Sequence, residues 1–151
     1  MDNTLKADFL RHEAVDYIKQ WIGTPYQWAG QSFASFDCSG LIVEVLRSVG
    51  LITKDLSANG LYKRFKEGRE TPLPYPGCLV FWFYSSGRAK HVAMIVNKDQ
   101  IVDASGGGSK TKTRKDAIKH EAFVKIRRLN YRGTNYKIID PFKDWNPDEN
   151  L

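Results

Sequence analysis

The stretch Phe36-Asp37-Cys38-Ser39-Gly40-Leu41-Ile42-Val43 carries the strongest structural signal in the sequence. Small and polar residues precede the cysteine, and apolar residues at helical spacing follow it, which predicts a buried helix over residues 38–49. Cys38 then lies in the first helical turn, where backbone N–H groups and the helix dipole stabilise a thiolate, so we expect its pKa to be lowered. Cys38 is therefore a candidate nucleophile. Taken alone, a cysteine is more often a small buried apolar residue.

Length and composition describe a single packed domain. The chain has 151 residues, of which 42% are hydrophobic and 13% aromatic, and these values fit a globular protein rather than a disordered one. No apolar run approaches the ~20 residues that span a bilayer, so we expect no transmembrane segment. Residues 1–6 contain no apolar signal core. We therefore expect cytoplasmic synthesis without a signal peptide, followed either by retention or by delivery in a virion or a secretion machine.

The net charge of +6 indicates an anionic partner. Nucleic acid, a membrane surface and an anionic polymer such as a cell wall are the alternatives. Basic residues concentrate at 110–115 and 125–128, and we interpret the first cluster, which follows a glycine-rich run, as a mobile solvated loop. Nucleic acid is the weaker alternative, because no nucleic-acid-binding motif accompanies the charge and the aromatic residues are better explained as core.

The two cysteines, Cys38 and Cys78, do not form a recognisable framework. The sequence contains no Cys-x-x-Cys and no paired histidine spacing, so we expect neither a metal site nor a set of disulfides. A disulfide between the two cysteines has no support beyond their number, and we expect both thiols to be free.

Helices precede strands in the predicted order. Besides the helix at 38–49, apolar periodicity and end signals predict one helix over 7–22 and another from a cap at Asp55 or Ser57 to Gly68. Strands are predicted from Cys78 to Tyr84, at 91–96, at 100–104, from Glu121 to Leu129, and as a short edge strand from Tyr136 to Ile139. Helices first and antiparallel strands after is the order of an α+β protein.

A nucleophilic cysteine needs a base and a group that orients the base. Of the three histidines, His91 opens an apolar strand, where an imidazole is otherwise out of place. Asp103 follows twelve residues later in the next strand, and a hairpin around residues 97–100 would bring the two side chains within reach across the ladder. A carboxylate there would hold the imidazole in one tautomer. The alternatives are a strand-end histidine and a polar strand end without a catalytic role.

With these residues in place, the chain resembles the NlpC-type family of bacterial cell-wall cysteine peptidases, which are papain-like endopeptidases. The resemblance covers roughly residues 10–130. It rests on four elements in order: the loop Gly23-Thr24-Pro25-Tyr26-Gln27-Trp28-Ala29-Gly30, the nucleophile motif Phe36-Asp37-Cys38-Ser39-Gly40-Leu41, the strand Pro76-Gly77-Cys78-Leu79-Val80-Phe81-Trp82, and the strands from His91 to Val96 and from Ile101 to Ser105. Their joint occurrence favours a catalytic Cys38.

The resemblance implies an α+β, papain-like fold in which N-terminal helices pack on a central antiparallel sheet. It also implies a single catalytic domain over residues 1–140. The polar, proline-containing residues 141–151 are expected to form a loosely held tail.

The resemblance also implies roles for individual residues. Cys38 is the nucleophile, His91 the base and Asp103 the orienting group. The Tyr26 hydroxyl and the backbone around Cys38 stabilise the oxyanion. The implied substrate contacts are Ser39, Trp28 and Asp37.

Three positions depart from the family's pattern. Cys78 replaces an aspartate after Pro-Gly, so a turn-capping carboxylate is missing. Ala29 replaces the first of two glycines. Asp103 stands where relatives often have histidine, which leaves the triad workable and makes the site more anionic.

The implied reaction is acyl transfer to water, with no need for a metal or an organic cofactor. His91 helps to keep Cys38 as a thiolate, the thiolate attacks an amide carbonyl, and His91 then protonates the leaving amine and activates the water that releases the acyl group. The implied substrate is a peptidoglycan stem peptide, often cut between D-glutamate and a diamino acid. The interpretation we favour is a murein hydrolase associated with phage tail proteins or a virion. Two alternatives stay open: a cytoplasmic amidohydrolase of the same fold acting on wall-derived peptides, and a non-catalytic structural or binding domain of a tail assembly.

Overall fold

The structure, a computed structural model, describes residues 2–25, 31–32, 35–105, 113–119 and 122–146. Within these ranges the helices are α1 (Asn3–Lys19), α2 (Cys38–Ser48), α3 (Ala58–Phe65) and α4 (Arg114–Lys119). The strands are β1 (Gln31–Ser32), β2 (Ser35–Phe36), β3 (Glu70–Thr71), β4 (Leu79–Phe83), β5 (Ala89–Asn97), β6 (Gln100–Ala104), β7 (Val124–Arg128) and β8 (Tyr136–Ile139). Three helices precede the main antiparallel strands, so the prediction of an α+β fold is confirmed.

Six strands form one antiparallel sheet in the order β3-β8-β4-β5-β6-β7, and β1 pairs with β2 in a separate ladder. Within the sheet, β8 pairs with β4 on one side and with β3 on the other. The prediction of an edge strand at 136–139 is therefore wrong. The reason is that β3, which covers this edge, is only two residues long and has no recognisable period in the sequence.

The helices pack on one face of the sheet, as predicted. Alternate residues of the central strands point toward this face. The core that they form with the inner sides of the helices includes Ile18, Leu41, Phe81, Met94 and Val102. The opposite face of the sheet carries a smaller cluster that includes Cys78, Val80, Trp82, Ala93 and Ile95.

Side-chain caps set the ends of the helices. α1 begins at Asn3, earlier than predicted, because the Asp2 carboxylate accepts a hydrogen bond from the Leu5 N–H at 3.0 Å. α3 begins after Ser57, whose hydroxyl accepts a hydrogen bond from the Gly60 N–H at 3.0 Å, and this contact decides between the two predicted caps. Among the described helices, none has the length and apolar character to cross a membrane.

Part of the basic segment that we predicted as a mobile loop is helical. The Thr113 hydroxyl before α4 accepts a hydrogen bond from the Asp116 N–H at 3.1 Å, and the Asp116 carboxylate accepts one from the Thr113 N–H at 3.2 Å. This reciprocal pair is a capping box, which an interpretation based on charge alone does not detect. Lys115 is exposed, whereas Lys110 and Lys112 lie outside the described residues.

The residues that follow β8 are packed. Phe142 is fully buried, and its N–H donates a hydrogen bond to Asp140 at 3.0 Å. Asp140 also accepts a hydrogen bond from Arg11 of α1 at 2.8 Å, and Trp145 packs against the core. The prediction of a loosely held tail is wrong for the part that the structure describes, because burial of aromatic rings outweighs the polar composition. Residues 147–151 lie outside the described part.

Replacing Phe142 by alanine should lower the free energy of unfolding by about 3–5 kcal/mol, the range for removal of a buried phenylalanine ring. Urea unfolding followed by circular dichroism measures the change. Lys143→Ala is the control, because Lys143 is exposed and its replacement should change the free energy of unfolding by less than about 0.5 kcal/mol. Equal unfolding curves for the wild type and F142A would show that the tail is loose.

Candidate active site

α2 places Cys38 where this helix meets the sheet. Asp37 is the N-cap of α2, and its carboxylate accepts a hydrogen bond from the Gly40 N–H at 2.6 Å. The Ser39 hydroxyl lies 3.5 Å from the same carboxylate oxygen. Cys38 therefore occupies the first helical turn, as predicted, and it is half-buried.

The Cys38 thiol contacts the backbone amides of Ser39 and Val92. Val92 follows His91 in β5, so the thiol lies beside the strand that carries the candidate base. Burial, and after it the negative charge of Asp37, raise the pKa of the Cys38 thiol to about 11, and the two amides offset this only in part. The prediction of a lowered thiol pKa is wrong, because desolvation of the thiolate outweighs the amides at the helix end.

The predicted pair of His91 and Asp103 is formed. Nε2 of His91 lies 2.7 Å from Oδ2 of Asp103, and both side chains are buried. The ladder between β5 and β6 shifts by one residue between Ile95 and Asn97. Without this bulge, Asp103 would stand opposite Met94, whose side chain packs toward the helices. With it, His91 and Asp103 are diagonal neighbours on the other face of the sheet.

The surroundings of this pair set its protonation at neutral pH. Asp103 is fully buried, which by itself raises its pKa. The His91 contact, the Tyr131 hydroxyl and the Arg127 charge outweigh burial and hold the carboxyl pKa below its ordinary value. Burial lowers the His91 pKa, and the charges of Arg132 and Arg127 lower it further against the neighbouring carboxylate. An ionised carboxylate only accepts hydrogen bonds, so Nε2 of His91 carries the ring proton and Nδ1 keeps a lone pair.

This arrangement is suited to moving a proton from a thiol to an imidazole. At neutral pH it comprises a neutral thiol, a neutral imidazole, and a carboxylate that would stabilise the imidazolium formed by proton transfer. The contact of Cys38 with the backbone of β5 brings the thiol to the same strand as the imidazole. Hydrogen-bonding range between Sγ of Cys38 and Nδ1 of His91 stays a prediction.

The other site residues predicted from the sequence fall into two groups. Tyr26 and Trp28 lie outside the described residues, so their roles at the oxyanion and at the substrate stay predictions. Asp37 and Ser39 lie at the start of α2, next to the thiol. Their contacts with substrate also stay predictions, and Asp37 has a structural role besides, as the N-cap.

The sequence interpretation missed the polar groups behind Asp103. Nε of Arg127 and the Tyr131 hydroxyl donate hydrogen bonds to its carboxylate, and the Ser105 hydroxyl lies 3.5 Å from Oδ1. In the sequence, Arg127 is one member of a basic cluster, and the alternation along β7 is the signal that places its side chain on the face of Asp103. No such signal marks Tyr131, which lies in a turn after β7.

Both cysteines are free, as predicted, but they differ in exposure. Cys78 is fully buried, and burial raises its pKa to about 12. Iodoacetamide should therefore label Cys38 and spare Cys78 in the folded protein, and the Cys38 rate should rise about tenfold per pH unit below its pKa, because only the thiolate reacts. Mass spectrometry of tryptic peptides measures both rates. Equal labelling in the folded protein, with no further change in urea, would contradict this difference in burial.

Comparison with known proteins identifies relatives over most of the chain. The model of the NlpC/P60 family matches residues 23–128. Peptidoglycan endopeptidase RipA of Mycolicibacterium smegmatis is 29% identical over 66% of this chain and 23% of the relative. Probable endopeptidase p60 of Listeria seeligeri is 35% identical over 59% of this chain and 16% of the relative. The chain thus spans less than a quarter of the length of these two curated relatives.

Solved structures share the fold at low sequence identity. The P60 domain of the M. avium subspecies paratuberculosis antigen MAP1204 has a TM-score of 0.65 and 21% identity, with 90% of this chain and 97% of that chain covered. RipD of Mycobacterium tuberculosis, a non-catalytic NlpC/p60 domain protein with an adaptation to peptidoglycan-binding function, has a TM-score of 0.60 and 19% identity, with coverages of 86% and 95%. These likenesses show the fold, and fold alone does not establish catalysis. Since the family model covers more than half of the residues, the chain belongs to the NlpC/P60 family.

Proposed function

We propose that the chain is a cysteine peptidase that hydrolyses amide bonds in peptidoglycan stem peptides. One observation carries the proposal: His91, which forms a buried pair with Asp103 at 2.7 Å, lies on the strand that the Cys38 thiol contacts. A nucleophile, a base and an orienting carboxylate are the parts that acyl transfer needs. The names of the relatives RipA and p60, a peptidoglycan endopeptidase and a probable endopeptidase, support a wall peptide as the substrate class.

The first half of the reaction forms an acyl-enzyme. Sγ of Cys38 attacks the amide carbonyl as its proton passes to Nδ1 of His91, and Asp103 stabilises the imidazolium through Nε2. The carbonyl electron pair moves onto oxygen, where backbone N–H groups at the start of α2 and the Tyr26 hydroxyl donate hydrogen bonds. Collapse of this intermediate breaks the C–N bond, and the imidazolium gives its proton to the leaving amine.

The second half releases the acyl group to water. His91 takes a proton from a water molecule, whose oxygen attacks the thioester carbonyl of the acylated Cys38. The C–S bond then breaks, and the imidazolium returns its proton to the thiolate. Because the resting thiol has a raised pKa, His91 acts as a general base at the moment of attack, not as one half of a preformed ion pair.

The rival functions differ from this proposal in identifiable ways. A non-catalytic binding domain, as RipD is, gains nothing from burying an ionised carboxylate against an imidazole, since the desolvation is costly. An amidohydrolase acting on released wall peptides would use the same three side chains and differ only in substrate size. The net charge of +6 favours attachment to an anionic wall, and within the stem we propose the bond between D-glutamate and the diamino acid.

Digestion of purified sacculi should release peptide fragments whose masses identify the cut bond. Cys38→Ala and His91→Ala should lower the release rate by more than about 10³-fold, and Asp103→Ala by less, because an orienting group contributes less than the groups it supports. Chromatography with mass spectrometry gives both the fragments and the rates. Soluble stem peptides, digested in parallel, separate a wall hydrolase from an enzyme of released peptides.

The matched control for His91→Ala is His12→Ala, since the His12 side chain is 71% exposed on α1 and contacts Asp8. Its replacement should leave the release rate unchanged. Full activity of C38A would eliminate the cysteine mechanism. Absence of cleavage by the wild type, together with tight binding to sacculi, would favour the non-catalytic alternative.

Activity should depend on pH through the neutral form of His91. Burial lowers the His91 pKa below its ordinary value of 6.5, so the acid limb of kcat/KM should lie below pH 6.5 and the rate should be level from there to pH 8. The same shift means that the folded protein binds fewer protons than the unfolded chain. The contribution of His91 to the free energy of unfolding is therefore complete above pH 6.5 and is lost as the pH falls through the pKa of His91 in the folded protein. An acid limb centred above pH 6.5 would contradict this assignment.

A further inference from the structure

Behind the imidazole, the Asp103 carboxylate is held by side chains from other segments of the chain. Nε of Arg127, on the neighbouring strand β7, donates to Oδ1 at 2.9 Å. The Tyr131 hydroxyl, in the turn after β7, donates to Oδ2 at 2.6 Å, and Oδ2 is also the oxygen that faces Nε2 of His91. The Ser105 hydroxyl lies 3.5 Å from Oδ1. Both oxygens are thus committed, and their positions relative to the imidazole are determined by groups outside the catalytic triad.

The direction of each hydrogen bond follows from counting protons. A tyrosine hydroxyl has one proton, and the ionised Asp103 can only accept, so the Tyr131 proton points to Oδ2. The Tyr131 oxygen then accepts from Nε of Arg132 at 2.7 Å and from the Ser105 hydroxyl at 3.0 Å. Arg132 and Ser105 thus donate to the Tyr131 oxygen, and Tyr131 donates to the carboxylate. Because the carboxylate only accepts, the His91 ring has to carry its own N–H at Nε2.

Packing holds the tyrosine in this orientation. The Arg127 and Arg132 guanidinium groups lie 4.7 and 5.5 Å from the centre of the Tyr131 ring. The Trp82 ring makes an edge contact with Tyr131 at 6.2 Å and a tilted contact with the His91 ring at 5.6 Å. The same indole thus contacts both the tyrosine and the imidazole.

We propose that Tyr131 and Arg127 are positioning residues of the active site, which hold Asp103 as an oriented anion and thereby keep His91 in the Nε2–H tautomer with Nδ1 available to the thiol. The catalytic consequence rests on the proposed function. The tautomer and the titration of His91 do not, because they are properties of the free protein.

The groups that face His91 come from several elements. The charged groups are the Asp103 carboxylate on β6 and the cations of Arg127 on β7 and Arg132 in the turn after it. Two uncharged groups complete the set. These are the Trp82 ring on β4 and the neutral Cys38 thiol of α2, which lies at the adjacent backbone amide. Loss of either cation favours the imidazolium. Loss of the tyrosine proton donor does the same, since it leaves the carboxylate a stronger acceptor for the imidazolium.

The experiment compares Tyr131→Phe and Arg127→Gln with matched controls. Tyr136→Phe also removes a hydroxyl from a ring that contacts Trp82, and Arg128→Gln removes an exposed charge from the same strand. Two-bond ¹⁵N–¹H spectra of the histidine rings, recorded through a pH titration, report the tautomer and the pKa of His91 in each folded protein. Release of sacculus fragments gives kcat/KM against pH.

In Y131F and R127Q we expect the midpoint of the His91 titration and the acid limb of kcat/KM to move to higher pH together. We expect kcat to fall by about tenfold, the lower end of the range found when a group that orients a metal ligand is removed. Both controls should match the wild type. An unshifted His91 titration in folded Y131F or folded R127Q would overturn the proposal, whatever the effect on hydrolysis. A shifted titration in a protein that cleaves no wall peptide would support the positioning role and refute the proposed function.

Discussion

The candidate active site depends on a carboxylate with no solvent exposure, that of Asp103. A buried charge is tolerated only where several donors surround it, because desolvation costs several kcal/mol. The donors here come from β5, from β7 and from the turn after β7. β5, β6, and β7 with the turn after it must therefore be in register at the same time. A slip of one residue in either ladder would leave the charge unpaired, so the sheet and the base are specified together.

The bulge in β5 allows the two faces of one hairpin to pack in different ways. On one face, Val92 and Met94 lie in the core beneath the helices, and on the other, His91 contacts Asp103. A ladder without the shift near Ile95 would keep Val92 and Met94 in the core and place the carboxylate on the wrong face. Bulges are over-represented next to active sites because they re-aim a side chain in this way.

α2 and the sheet contribute different parts of the candidate active site. Burial, and after it the negative charge that the Asp37 cap of α2 places beside the thiol, raise the Cys38 pKa, so the helix end does not by itself produce a thiolate. The helix supplies the position of Cys38, and the sheet supplies the proton acceptor. Because the capacity for catalysis depends on a few side chains and not on the shared fold, a family that contains the non-catalytic RipD can also contain enzymes.

Helical periodicity and strand alternation are local patterns, so the amino-acid sequence was sufficient to predict the α+β class and the helix that begins at Cys38, and it identified His91 and Asp103 as a candidate pair. Their approach also needs the bulge in β5, which no sequence pattern predicted. The folded structure adds that β8 is an interior strand, that Phe142 is buried, and that Arg127 and Tyr131 surround the carboxylate. These features arise from contacts between segments far apart in the chain. The raised pKa of the Cys38 thiol is also a tertiary feature. Desolvation depends on which groups pack over a residue in the folded protein, and the residues next to it in the sequence do not specify those groups.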